Sequence, residues 1–329
     1  MLHKINKINM TALLVLLIIS ILINIGLTVY NTKVLIQNSQ LKKDLFNENK
    51  NGFELLSPDI AWLEVDDFLA KQKTYSISYA RMKPQLQEVL TNGVTGKFGL
   101  YFEDLTTGAW LGINEKEQFL PVSLMKMPLL VAVLKKVETN NLTLDQEIMI
   151  LSEDIDSGWG ELAKKGVGEK FTVKQLLEKM IEESDNTAFR ALIRVIGRYS
   201  FNEAALALGL PLDMSAATSP KDYGNMLRAL YLSSYLRRPT SELALNIMLR
   251  TEFNSQLPAG IPSNTPIAHK VGFFFEEGLF HDCGIIYVPQ KPYLVCAMSK
   301  GSNQDEADRV ISKASRIIYD FVTTGNVTQ

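Results

Sequence analysis

Strand-like segments stand near both ends of the folding part of this chain, and helical patterns fill the interval between them. KFGLYFEDL and WLGINEKEQF come early, joined by the glycine-containing turn TTGA, and read as a hairpin. IAHKVGFF, CGIIYV and YLVCAM come late. Between the two groups, apolar periodicity predicts helices over Ser123–Thr139, Val173–Glu183, Thr187–Gly197, Phe201–Leu208 and Lys221–Leu232. A final helix follows over Asp305–Thr323. Strands gathered at the ends do not alternate with helices as a parallel sheet requires. The terminal strands are expected to meet in one antiparallel sheet beside a helical subdomain, an α+β architecture.

A second feature lies upstream. From Met10 to Tyr30 the chain reads MTALLVLLIISILINIGLTVY without a charge. At about 1.5 Å per residue such a helix spans about 30 Å, the thickness of a bilayer's hydrocarbon core. Lys4 and Lys7 precede it, which suits a cytoplasmic N-terminus, although Lys33 on the far side weakens the asymmetry. A cleaved signal peptide is the rival reading, but the exit LTVYNTKV offers no small-x-small cleavage site. The expectation is a cytoplasmic tail over 1–9, one transmembrane signal anchor over 10–30, and the remainder of the chain outside the cytoplasmic membrane. Residues 31–77 read as a polar stalk with a leading helix that begins near Pro58. Residues 78–329 form the folded domain.

Composition narrows the chemistry. A formal net charge of −2 gives no electrostatic reason to expect a nucleic-acid partner. Two Cys and three His cannot build a cysteine-rich metal framework or a disulfide scaffold.

Three short motifs remain. In PVSLMKMPLL, Ser123 and Lys126 are three residues apart, so they share a helix face. A neutral lysine there can take the serine proton and activate it for acyl attack. A helix cap with a surface lysine is the plain alternative, and the stalk holds a solvated copy of the spacing in Ser39 and Lys42. Ser184-Asp185-Asn186 lies at a helix junction. It suits proton transfer to a leaving amine and hydrogen bonding to an amide, but it also suits an N-cap. Lys270-Val271-Gly272 falls on an expected edge strand, where a lysine supplies positive charge and a glycine admits a substrate backbone.

In this order, 61 and 86 residues apart, the three motifs resemble those of the penicillin-recognising serine hydrolases, the class A β-lactamases and D,D-peptidase penicillin-binding proteins. The resemblance runs from about Ser78 to Phe321 and implies their fold. It implies Ser123 as nucleophile, Lys126 as its general base and Ser184 as proton relay to the leaving nitrogen. Asn186 would hold the substrate amide, and Lys270 would support Ser184 and help dock a carboxylate beside Gly272. The N–H groups of Ser123 and Phe273 would form the oxyanion hole. Trp159 falls where that family often has an aromatic wall. No metal or organic cofactor is implied. The partners would be a small-molecule β-lactam or a peptidoglycan stem peptide.

Three departures qualify the resemblance. Only GLPLDMSAA joins the helix ending near Leu208 to Thr218, so the omega loop is short. Its sole acid is Asp213, and Glu203 lies earlier on a solvated helix face. Without a positioned glutamate, acylation is expected to outpace hydrolysis, which suits a D,D-peptidase, a transpeptidase or a non-hydrolysing sensor. Val271 replaces the usual Thr or Ser and brings no hydroxyl. The arginine often found before GII is absent, and His281 could replace its charge only when protonated. FFFEEGLFHDC is expected as an enlarged aromatic segment before Gly284. Cys283 and Cys296 face each other across a hairpin if its turn centres between Pro289 and Gln290, and a shift of one residue would separate them.

Overall fold

The computed structural model describes residues 55–57, 79–211 and 216–325. The expected anchor over 10–30, the stalk up to residue 54, residues 58–78 of the expected leading helix and Asp213 lie outside the described residues. Among the described residues no helix is long and apolar enough to cross a membrane.

In chain order the elements are α1 (Lys83–Thr91), β1 (Lys97–Asp104), β2 (Trp110–Ile113) and α2 (Lys126–Glu138). A small hairpin of β3 (Glu147–Met149) and β4 (Lys170–Thr172) follows. Next come α3 (Val173–Glu182), α4 (Asn186–Ala207), α5 (Pro220–Tyr231) and α6 (Arg238–Met248). The chain closes with β5 (Ile267–Phe274), β6 (Leu279–Ile286), β7 (Tyr293–Lys300) and α7 (Gln304–Thr324).

The main sheet is ordered β2-β1-β7-β6-β5, with every neighbour antiparallel. The early hairpin thus pairs with the late strands as expected, Leu100 opposite Ala297 and Phe102 opposite Val295. One core joins Met82, Leu86 and Leu90 near α1 and Val310, Ile311 and Ile318 of α7 to sheet residues such as Phe102 and Val295. α5 packs on β1 and β7, and α6 packs on β5. Both faces of the central strands are therefore covered, which is why every residue of β6 is buried and its sequence shows no clean alternation.

α2 is the buried post of the helical part. Every residue from Lys126 to Leu134 is buried, Lys126 included. A helix that is apolar all round must be enclosed. Truncating Leu130 to alanine at such a site costs about 2–5 kcal/mol.

Several sequence expectations are refined. The helices expected over Thr187–Gly197 and Phe201–Leu208 form one run that bends at Gly197, where φ is 78°. α6 was not anticipated, although Pro239 in its first turn and the apolar Leu243, Ala244 and Ile247 are its signal. β2 stops at Ile113, well short of WLGINEKEQF. FFFEEGLFHDC forms no separate loop: β5 ends at Phe274, Phe275–Glu277 make a 3₁₀ turn, and β6 begins at Leu279. Gly278 closes that turn at φ 62°, a left-handed conformation that glycine adopts without strain. Cys283 and Cys296 lie directly opposite on β6 and β7 and are joined by a disulfide.

Candidate active site

Ser123 sits in a 3₁₀ turn, Val122–Met125, that runs directly into α2. The residue before it, Val122, has φ 49°, and Ser184 has φ 61°. A β-branched residue rarely adopts this region, and such strain costs on the order of 1–3 kcal/mol when surrounding structure enforces it. The enforcement is visible here. His281 Nε2 donates to Leu120 O at 2.8 Å, and Phe119 and Thr218 exchange two backbone hydrogen bonds at 2.8 Å each. From the other side, β5 presses on the turn. A Cβ added at Gly272 would stand 3.1 Å from Pro121 O and 3.4 Å from Ser123 N, so any larger residue would require the strand or the turn to give by a few tenths of an ångström.

Lys126 does not reach solvent. Its Nζ meets Ser123 Oγ at 3.3 Å, Ser184 O at 2.5 Å, Ser184 Oγ at 3.1 Å and Asn186 Oδ1 at 2.7 Å. Ser184 O and Asn186 Oδ1 can only accept, so each takes an N–H. In the neutral amine the remaining position is a lone pair, shared between the two serine hydroxyls. Burial lowers the Lys126 pKa to about 7, with the nearby carboxylates of Asp185 and Asp156 opposing the shift. The plain reading of Ser123-to-Lys126 as a cap with a surface lysine is excluded, because Ser123 caps nothing and Lys126 is enclosed.

The junction before α4 meets both readings of its motif at once. Asp185 is the N-cap, accepting from Ala188 N at 2.8 Å, and its other oxygen accepts from Leu162 N at 2.8 Å. That frees Ser184 and Asn186 to face Lys126. Asn186 Nδ2 donates to Asp156 Oδ1 at 3.3 Å, which fixes Oδ1 toward the amine. Burial pushes the Asp156 carboxyl up, but the Gly158 N–H, Asn186 and Arg190 outweigh it and hold the group below the usual carboxylate range. Asp156 was not singled out in the sequence, where nothing distinguishes it from the neighbouring Glu153 and Asp154.

Lys270 is placed on β5 as expected, at the edge of the sheet, but it is fully enclosed. Its Nζ makes one long hydrogen bond, to Val271 O at 3.4 Å, and lies 5.4 Å from the Phe253 ring centre. Burial, and then the charge of Lys126, drive its pKa well below the usual lysine value, with Asp282 opposing. No hydrogen bond joins it to Ser184 among the described residues. His281 does not supply the missing arginine's charge. Burial pushes its pKa down to about 4 against the pull of Leu120 O, and Ser299 N donates to its Nδ1 at 3.2 Å. The imidazole is a neutral brace for the turn.

These groups open onto a cleft of about 340 Å³ lined by Ser123, Trp159, Ser184, Asn186, Phe273 and the Phe274–Glu276 turn. Trp159, Phe253 and Phe273 form a continuous wall with ring centres 5.6–6.3 Å apart, and Phe275 extends it at 6.2 Å from Phe273. Phe253 has no periodic context in the sequence and was missed. Glu203 is exposed on α4, as expected. Among the described residues no group of three or more His, Cys, Asp or Glu could hold a metal ion.

Residues 81–322 match the model of the beta-lactamase enzyme family. Beta-lactamase CTX-M-8 of Citrobacter amalonaticus is 26% identical over 246 residues, covering 68% of this chain and 84% of the relative. Beta-lactamase VEB-1 of Pseudomonas aeruginosa is 24% identical over 240 residues, covering 64% and 80%. Among solved structures, PBP-A superposes with a TM-score of 0.68 at 28% identity, covering 73% of this chain and 95% of PBP-A. A variant of PBP-A, solved as an acyl-enzyme complex with penicillin G, superposes with a TM-score of 0.68 at 27% identity.

Proposed function

The chain belongs to the β-lactamase enzyme family as a class A-like serine hydrolase, and on that premise we propose that it forms an acyl-enzyme through Ser123. The observation that carries this reading is the Lys126 amine, enclosed, 3.3 Å from Ser123 Oγ and held by Ser184 O and Asn186 Oδ1, two acceptors that take its N–H groups when it is neutral. Neutral Lys126 takes the Ser123 proton as Oγ attacks the carbonyl carbon of a β-lactam or a D-Ala-D-Ala-like amide. The N–H groups of Ser123 and Phe273 receive the developing oxyanion. As the tetrahedral intermediate collapses, Ser184 passes a proton from Lys126 to the departing nitrogen. Asn186 orients the substrate amide, Trp159 flanks it, and Gly272 lets it lie against β5 with Lys270 beneath.

Water must then release the acyl group. The only carboxylate lining the cleft among the described residues is Glu276, and the loop joining α4 to α5 is short. This favours a second reading, a cell-wall D,D-peptidase, transpeptidase or non-hydrolysing penicillin sensor with a long-lived acyl-enzyme. Residues 10–30 would hold either form to the outer face of the cell membrane as a single-pass anchor, and extraction by detergent but not by alkaline carbonate checks that point.

Intact mass spectrometry over time with a penicillin tests the function. The expected result is one added penicillin mass on the wild type, none on Ser123→Ala, and persistence of the adduct for hours. Prompt loss of the adduct with excess hydrolysis would favour an efficient β-lactamase. No adduct at all would remove Ser123 from the role.

A further inference from the structure

Three residues well ahead of the family match, which begins at residue 81, pack with the folded unit. Leu55, Leu56 and Ser57 are all buried. Each backbone polar group of the two outer residues has a partner. Leu55 N donates to the Glu242 carboxylate at 3.2 Å, and Tyr287 Oη donates to Leu55 O at 3.2 Å. Ser57 N donates to Tyr231 O at 3.0 Å, and Arg238 Nη1 donates to Ser57 O at 3.4 Å. A solvated spacer would bury no leucines. Fixing a chain in one conformation costs entropy, which burial and satisfied hydrogen bonds must offset.

The partners come from three elements. Tyr231 ends α5, Arg238 and Glu242 stand on α6, and Tyr287 follows β6. Tyr287 N donates to Pro266 O at 2.9 Å, which ties it to the start of β5, whereas Gly272 and the cleft lie toward that strand's end. The segment therefore docks away from Ser123 and leaves the cleft open. α6 packs on β5. The chain beyond α6 carries Thr251, whose Oγ1 donates to His269 O at 2.8 Å, and then Phe253 of the aromatic wall. A clasp on α6 thus bears on one side of the cleft without touching it.

We propose that the corner between α5, α6 and the end of β6 is a peptide-docking surface, and that its partner is the Leu55–Ser57 segment of the same chain. Carboxylate, carbonyl, hydroxyl and guanidinium groups grip the main chain, and burial of Leu55 and Leu56 selects an apolar pair. The catalytic unit then begins at residue 55, and its docked segment steadies α6 and the Thr251–Phe253 stretch. The docking does not depend on which acyl donor the cleft takes.

Hydrogen exchange on the full chain, read by mass spectrometry, tests the surface. The amides of Leu55 and Ser57 are expected to exchange at least about tenfold more slowly than in an unfolded chain, at any protein concentration. Leu56→Asp puts a charge into a buried position. It should release the segment, abolish that protection, speed exchange in peptides covering Thr251–Phe253 and lower the melting midpoint by about 5 °C. Tyr287→Phe keeps the ring and removes one hydrogen bond, so the fold should persist while exchange of the segment quickens about fivefold. Should Leu56→Asp fail to fold, Tyr287→Phe decides. Free exchange of the segment in the wild type, or full protection kept in the variants, would overturn the surface. Protection that fades on dilution would give the segment to a second copy and overturn the partner named. Unchanged exchange over Thr251–Phe253 once the segment is released would overturn its hold on α6.

Discussion

The two halves of the site each bury a lysine, and they treat it differently. On the helix side, Lys126 meets four oxygens from three residues, two of them acceptors that dictate where its hydrogens go. On the strand side, Lys270 is more completely enclosed yet finds one backbone carbonyl at 3.4 Å and an aromatic face. Burial lowers the proton affinity of both amines. Burial alone therefore does not assign a role. When Lys126 is neutral its two acceptors leave the lone pair to the serine hydroxyls, whereas Lys270 has no comparable set of acceptors. The helix half is built for one reaction, and the strand half has room to change what it binds.

Deleting the two amines separates the halves most strongly. Lys126→Met should slow acylation roughly a thousandfold, the usual scale for loss of a positioned base. Lys270→Met should cost less than about tenfold and should raise unfolding stability by about 1 kcal/mol or more, because an apolar chain replaces a poorly compensated buried amine. Acylation rates by intact mass and urea denaturation measure the two effects. Equal losses of activity would break the comparison.

Gly272→Ala probes the contact between the halves. Its Cβ would press on Pro121 O and shift the Ser123 turn, so acylation should fall by about 10- to 100-fold. A rate unchanged from wild type would mean that β5 does not hold the nucleophile in place.

His281 gives the smallest effect on chemistry and a measurable one on stability. Burial holds its pKa at about 4 in the folded protein, below the ordinary histidine value of 6.5 that the unfolded chain keeps. Between those values the unfolded chain therefore binds the extra proton. Stability should fall as pH drops from 6.5 to 4, by about 3 kcal/mol from this group. His281→Gln should flatten that part of the curve in denaturation experiments from pH 7 to pH 4. An unchanged slope would place the acid sensitivity elsewhere.

Much of this was legible in the sequence. The meeting of early and late strands followed from their need for hydrogen-bond partners, Ser123 and Lys126 came together as their spacing implied, and Ser184 and Asn186 joined them as the family resemblance implied. Asp185 was legible as a cap because short acidic side chains stabilise helix starts. What stayed hidden depended on enclosure or on contacts between distant segments. Lys270 read as a docking charge because a strand pattern does not show that its lysine is sealed. His281 read as a conditional cation for the same reason. Asp156 and Phe253 gained meaning only when the fold carried them to Asn186 and Trp159. The start of β6 after Phe274 was hidden because fully buried strands lack the alternation that marks a strand start.

The central claim is that a neutral Lys126 activates Ser123, and its protonation state is readable in a rate. The second-order rate of penicillin acylation, measured by intact mass from about pH 5.5 to about pH 9, should rise with pH and level off above an inflection near 7, the value burial gives Lys126. A flat profile, or a rate still climbing steeply at the top of that range as for an ordinary lysine, would contradict the account.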